Sequence, residues 1–417
     1  MNRRRSQGMK VFILFLFCLS LAESKKYTNY HLLKVVPQTD TGLAQLKSLD
    51  KNNPQEVDFW IAPSKVNQSA ECLMSPTLYH EIENGAKNKG IEVTVLSDNI
   101  EKTIEKEKPN SVLYSEKAVT NTYAPIEKIV ELIKGYAEQY SHVSLKHYGK
   151  SYEHRNLYAI KFSVGPGRQT IIVEAGMHSR EWIAIASTLK VIESFATRRN
   201  VNREVTELLE SYDWLFVPVT NPDGYHMTHT EDRMWRKNMR PHTRRCTGTD
   251  LNRNFDALWG GEGASADPCH PTFRGANVFS EPESRHLSKL VRSTRDKIAF
   301  FSVHAYSQLI LTPYGCQRKK PADSNHLTYI AKQAKNAIYR ETGKNFTVGT
   351  PPDILYPATG GAYDWAKMKM KVKYAYAFEL RPDPSSSLGF IMPESEIEPS
   401  YRELFVALKA FAENFEK

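Results

Sequence analysis

His178 and Glu181 stand three residues apart in the run Glu174-Ala175-Gly176-Met177-His178-Ser179-Arg180-Glu181-Trp182. An imidazole and a carboxylate at that spacing on a turn can both reach one Zn2+. By itself, His-x-x-Glu is a common accident of sequence. His304 strengthens it by ending a second apolar run, Ala299-Phe300-Phe301-Ser302-Val303. A lone histidine after such a run is ordinarily a satisfied core residue, but beside the first pair it reads as a third ligand. Two imidazoles and one carboxylate leave the fourth tetrahedral position open, which distinguishes a catalytic zinc site from a structural one. A third apolar run, residues 374–378, delivers Glu379, with Arg381 just beyond. Glu379 is either the ion-pair partner of Arg381 or a general base that takes a proton from water, a role that a nearby cation opens to a carboxylate near neutral pH.

These groups meet only if their strands end at one edge. Residues 170–174 run into Gly176, a polar turn and then a helical pattern, and open α/β sheets place ligand sites at such carboxyl ends. The periodicity predicts strands over 157–163, 170–174, 214–219, 299–303 and 374–378, and helices over 126–140, 181–196, 281–293, 326–342 and 400–415. That alternation predicts an α/β domain over residues 118–417, with a mixed, mostly parallel central sheet flanked by helices. Residues 23–98 read as a separate, small α+β unit with strands over 31–36, 57–61 and 91–96 and helices over 43–49 and 75–88. Little catalytic chemistry lies there, which suits a pro-domain. Residues 99–117 are polar and carry Lys102, Lys106, Lys108 and Lys117. They are expected to form a solvated connector, an exposed segment cut by a protease that selects basic residues, or both. Pro109 makes Lys108 a poor place for that cut.

Residues 1–22 read as a secretory signal: Arg3, Arg4, Arg5 and Lys10 precede the apolar stretch 11–19, and Ser20 and Ala22 suit cleavage after Ala22. The stretch is too short to span a bilayer and no second one approaches that length, so a secreted, extracellular protein without a membrane anchor is expected. The chain of 417 residues is long enough for two domains, and its 41% hydrophobic and 25% charged residues are ordinary for a soluble protein. Lys and Arg number 56 against 47 Asp and Glu, a formal charge of +9. The positives beyond the signal are scattered among acids without interleaved aromatics, so no nucleic-acid partner is expected. Export permits disulfides, and Cys246 with Cys269 would close a loop in a Gly/Pro/Asp-rich segment. Cys72 and Cys316 need not pair. Asn67 and Asn345 begin glycosylation sequons.

The ordered motifs are specific in combination. They are His178-Ser179-Arg180-Glu181-Trp182, Asn221-Pro222-Asp223-Gly224-Tyr225, Arg233-Met234-Trp235-Arg236-Lys237, Asp250-Leu251-Asn252-Arg253-Asn254-Phe255-Asp256, His304-Ala305-Tyr306-Ser307-Gln308, Gly360-Gly361 with Asp364-Trp365, and Phe378-Glu379-Leu380-Arg381. Across essentially its whole length the chain resembles the pancreatic-type metallocarboxypeptidases, the carboxypeptidase A/B family. The resemblance implies a zymogen with a ferredoxin-like pro-domain that inhibits its own enzyme, one Zn2+ per chain, an activating trypsin-like protease, peptide C-termini as substrate, and a monomer. It assigns His178, Glu181 and His304 to the metal, Asp250 to orienting His178, and Glu379 to general base. It assigns Arg236 to the developing oxyanion, Asn252 and Arg253 to the substrate's terminal carboxylate, and Tyr356 to a closing tyrosine. Arg180 falls at an outer substrate position, and Tyr306 is expected among the substrate-binding residues.

The same alignment puts Ala358, Ala362 and Tyr363 at the side-chain pocket, with Leu311, Leu355 and Ala377 nearby. Enzymes of the family that take basic residues carry an aspartate where this chain has Tyr363, so the A-type preference for hydrophobic residues is expected, with Asp353 the one alternative counter-charge. The competing expectations are a B-type enzyme, a non-catalytic extracellular binding relative, and a zinc amidohydrolase. Intact ligands and base argue against the second, and the Asn252-Arg253 clamp with Tyr356 against the third. Ala305, Phe255 and the long run Pro382-Asp383-Pro384-Ser385-Ser386-Ser387-Leu388-Gly389 depart from the family pattern.

Overall fold

A computed structural model describes residues 24–107 and 116–416. The signal reading of residues 1–22, the Lys108 position and the Lys117 side chain lie outside what it describes. The first unit runs β1 (His31–Pro37), α1 (Asp40–Asn52), β2 (Val57–Ile61), β3 (Ala70–Met74), α2 (Pro76–Gly85) and β4 (Ile91–Ser97). Its sheet has the order β2-β3-β1-β4 with antiparallel neighbours, which is the ferredoxin-like arrangement. Thr39 and Ser75 cap the two helices through their hydroxyls, and Pro76 enters α2 where no backbone donor is needed. Leu33, Val35, Leu46 and Cys72 are fully buried in its core. Strand β3 has no sequence signal of its own because all five of its residues are buried, Glu71 included, so alternation is absent. Within the expected connector, α3 (Ile100–Glu107) buries Ile100, Ile104 and Glu107, and α4 (Glu116–Val119) follows.

The large domain is built on an eight-stranded sheet of order β11-β10-β12-β9-β7-β8-β6-β5. In chain order these strands are β5 (Val143–Lys150), β6 (Asn156–Phe162), β7 (Thr170–Ala175), β8 (Asp213–Val217), β9 (Lys297–Ala305), β10 (Leu309–Leu311), β11 (Thr347–Gly349) and β12 (Tyr374–Leu380). The central four, β12-β9-β7-β8, are parallel, and antiparallel pairings appear toward the rims. The helices are α5 (Ile126–Gln139), α6 (Trp182–Thr197), α7 (Arg203–Ser211), α8 (Pro222–Thr230), α9 (Pro282–Ser293), α10 (Ser324–Thr342), α11 (Pro351–Ile354), α12 (Ala362–Met368) and α13 (Ile397–Asn414). Adjacent residues of β9 point into opposite layers: Phe301 joins the core with α6, α10 and α13, and Phe300 joins the core with α9 and α12. Burial on both faces is why the central strands read as unbroken apolar runs. The three-residue strands β10 and β11 are too short to show a period.

The connection after β7 sets the site. Gly176 has φ +68°, and a Cβ there would meet the Val219 backbone at 3.1 Å. Only glycine turns the chain this tightly against its neighbour. Helix α6 begins just past that turn and is buried on nearly every side.

Candidate active site

Parallel β7, β9 and β12 end at the same edge, and the register sets Glu379 opposite His304. From that edge His178, Glu181 and His304 converge. Their nearest ligand atoms lie within 4.8 Å of one another, and all three residues are buried. His178 Nδ1 is 2.8 Å from Glu181 Oε1, His304 Nδ1 is 3.0 Å from Glu181 Oε2, and the two Nδ1 atoms are 3.1 Å apart. Glu181 sits at the N-cap of α6 yet caps no amide of that helix; its oxygens turn toward the histidines and the Ala305 amide.

The outward nitrogens fix which ring atoms face in. His178 Nε2 lies 3.0 Å from Asp250 Oδ1. Burial pushes the Asp250 carboxyl up, but Arg236, His178 and Arg253 together hold it well below its usual range, so it accepts. Burial and Arg236 lower the His178 imidazole, leaving it neutral with its lone pair on Nδ1. His304 Nε2 lies 2.9 Å from Ser302 Oγ, and that hydroxyl donates to Glu174 Oε2 at 2.7 Å while Thr220 donates to Glu174 Oε1 at 2.7 Å. Burial pushes the His304 imidazole down, but Glu181, Glu379 and Glu174 raise it to about 9, which marks the spot as one that holds positive charge. Inward-facing acceptors packed this closely in a negative potential fit a divalent cation.

The other expected residues gather around this group. Arg236 donates to Asp250 Oδ2 from Nη2 at 2.8 Å, with Nη1 3.9 Å from Glu181. Arg253 Nη1 is 3.8 Å from Asp250, and Asn252 Oδ1 accepts from the Ala362 amide at 2.9 Å. Gly360, at φ +81°, lets the following loop press against the Arg253 backbone, where a Cβ would approach its carbonyl to 2.2 Å. Arg236, Arg253, Tyr356, Tyr363 and Glu379 line one cavity with the three converging residues. Burial pushes the Glu379 carboxyl up; His304, Arg236 and Arg253 pull it down, Glu181 adds to the rise, and the net direction is up. The ion-pair reading of Glu379 does not hold, because Arg381 is engaged by Glu403 and Glu396 instead.

Arg180 and Tyr306 face the small first unit. Arg180 pairs with Asp58 and lies 4.2 Å from the Phe390 ring, while the Tyr306 hydroxyl donates to Glu71. Trp60 and Ile61 line the same cavity as the converging residues. Sequence reasoning missed these contacts with the first unit, as well as Glu174 and Ser302. The available signal was an acid inside an otherwise apolar strand, at both Glu71 and Glu174. Cys246 and Cys269 form the expected disulfide, and Cys72 and Cys316 are buried thiols. Asp353 is exposed and paired with Lys320 at 2.9 Å, outside the cavity lining. Among the described residues, no helix is long and apolar enough to cross a membrane.

Comparison with known proteins agrees with this architecture. A profile of the zinc carboxypeptidase family matches residues 129–407, and one of the carboxypeptidase activation peptide matches residues 33–107. Mouse carboxypeptidase A2 is 31% identical over 396 residues, spanning 93% of this chain and 94% of that protein. Human carboxypeptidase O is 37% identical over 293 residues, spanning 69% of this chain and 78% of that protein. Among solved structures, thrombin activatable fibrinolysis inhibitor superposes with a TM-score of 0.85 at 30% identity, covering 93% of this chain and 98% of that one. Carboxypeptidase A from Helicoverpa armigera gives 0.80 at 26% identity with the same coverage. The chain therefore belongs to the zinc carboxypeptidase family, with Zn2+ as its cofactor and an activation peptide ahead of its enzyme domain.

Proposed function

We propose that this is a secreted zymogen whose activated form hydrolyses the last peptide bond of a chain and releases one, preferentially hydrophobic, residue. The observation that carries this reading is the convergence of His178, Glu181 and His304 with Glu379, Arg236 and Arg253 in one cavity. His178, Glu181 and His304 would hold Zn2+, with Asp250 orienting His178. When bound, Zn2+ supplies a fixed positive charge that acts as a Lewis acid on the reacting groups. Arg253 and Asn252 hold the substrate's terminal carboxylate, for which a planar guanidinium is suited. Arg236, fixed in place by Asp250, stabilises negative charge on the carbonyl oxygen as water attacks its carbon. Glu379 takes the proton from that water and returns it to the amide nitrogen as the C–N bond breaks. Its raised affinity for a proton suits both halves of the transfer. Tyr356 closes over the bound residue, and Arg180 and Tyr306 contact residues further from the cut.

The side-chain preference is read from the lining, which is apolar at Leu311, Leu355, Ala358 and Ala377 and presents Tyr363 in place of a carboxylate. The nearest carboxylate behind Tyr363 is Asp364, and its two oxygens already accept from the Gly315 and Cys316 amides; a buried lysine or arginine would therefore meet no carboxylate free to pair with it, a cost of several kcal/mol. Residues 1–22 as a signal, residues 23–98 as the pro-domain and 99–117 as the activation segment complete the reading. The disulfide is of the kind an oxidising compartment permits. Limited trypsin treatment should release an activity that removes C-terminal Phe or Leu from a blocked dipeptide and that a zinc chelator abolishes. No activity, or activity indifferent to the chelator, would refute the proposal.

A further inference from the structure

Tyr363 differs from the other polar groups of the cavity: its hydroxyl is buried and has no hydrogen-bond partner. The residue is 5% exposed and lies at the N-terminal turn of α12. Its hydroxyl stands beside Gly315, where a Cβ would approach the oxygen to 2.6 Å, and both residues line the cavity. A side chain at position 315 would have filled that space. Burial, with Asp364 next, raises the phenol far above its usual range, so it stays a neutral donor. An unpartnered buried hydroxyl is costly, and a group that arrives with the ligand can satisfy it.

We propose that the Tyr363 hydroxyl is a selectivity contact for the tip of the released residue. Beside aliphatic residues the pocket would accept a neutral side chain with an apolar stem and a carbonyl at its end, glutamine being the natural case. The carboxamide oxygen takes the phenol proton as a hydrogen bond. Gly315 lines the same cavity, and its carbonyl, which accepts from the Ala358 amide at 2.9 Å, keeps a second lone pair for the NH2. Glutamate would offer the same oxygen but bring a charge toward Asp364 and Glu379, both of which already raise this phenol.

The inference rests on the carboxypeptidase reading of the cavity. The test compares blocked dipeptides ending in Gln and in the near-isosteric Met, using trypsin-activated wild type and Tyr363→Phe. The wild type should cleave both, and Tyr363→Phe should lower the Gln-to-Met ratio of kcat/KM by about tenfold, the worth of one satisfied hydrogen bond. The uncleaved Tyr363→Phe chain should melt no lower than wild type, since no protein group loses a bond. Met cleaved but Gln refused, a ratio unchanged within about twofold, or a lowered melting point overturns the contact alone. Cleavage of neither peptide by wild type defeats the carboxypeptidase reading and the contact with it.

Discussion

At the scale of residues, Ser302 matters through what it joins. Its hydroxyl accepts from His304 Nε2 and donates to Glu174, which Thr220 holds from the other side. This orients the third converging residue as Asp250 orients the first. Ser302→Ala would leave His304 Nε2 facing only the Asn252 Nδ2 atom at 3.4 Å, itself a donor. Zn2+ affinity of the zymogen should then fall about 10–100-fold, as for other lost partners of ligand histidines. Competition against a chromogenic chelator measures this, and an affinity within about twofold of wild type would show that the relay does not act on the ligand. His178, Glu181 and His304 were legible in the sequence because His304 ends one apolar run and the His178-x-x-Glu181 pair sits on the turn that follows another. The relay was not, because Glu174 and Ser302 are separated by 128 positions and meet only through the pairing of β7 with β9.

At the scale of elements, α9 carries a titratable group whose burial sets a pH dependence. Glu283, in its first turn, accepts from the Tyr152 amide at 2.9 Å and from Asn238 Nδ2 at 3.0 Å, with Glu281 on the same amide and Asp223 nearby. Burial is the largest influence and raises the carboxyl from 4.5 to about 7. An acid whose folded value lies above its unfolded one gives stability that is complete below about pH 4.5 and is lost as pH rises toward 7. That interval corresponds to roughly 3 kcal/mol. Denaturant titrations at pH 5 and pH 8 should therefore show wild type losing stability relative to Glu283→Gln as pH rises. A difference that does not change with pH would rule out a protonated Glu283. The same scale separates what patterning reveals from what it hides. Strands β7, β9 and β12 announce themselves as apolar runs because both faces are covered. β10, β11 and α12 are too short for a period, although they help build the wall in which Leu311 and Tyr363 sit.

At the scale of the whole molecule, the proposed latency rests on how the activation-peptide unit is held over the cavity. Its sheet presents Trp60 to Tyr306 and Phe390, with ring centroids at 6.1 and 4.8 Å, and two acids extend beyond that apolar contact. Asp58 pairs with Arg180, which is 2% exposed, and Glu71 receives both the Tyr306 hydroxyl and the Ser385 amide, the latter at 2.6 Å. Ser385 belongs to the long run after Arg381, so the stretch that departs from the family pattern is also the one that grips the pro-domain. Glu107 of α3 adds a third acid, buried like Glu71, on Arg233 and the Met392 amide. Removing Asp58 leaves the buried Arg180 charge without its carboxylate, and removing Glu71 leaves a buried hydroxyl and amide without an acceptor; each loss costs on the order of 1 to several kcal/mol, while each 1.4 kcal/mol changes an opening equilibrium about tenfold. Asp58→Ala combined with Glu71→Ala should thus raise hydrolysis of a blocked dipeptide by the uncleaved chain at least about tenfold. The fully cleaved enzymes should differ far less, because both acids leave with the pro-domain. A gel taken from the same reaction confirms that the chain is intact. If the uncleaved double variant stays as silent as wild type, the apolar seat of Trp60 holds the pro-domain closed and the acids only set its orientation.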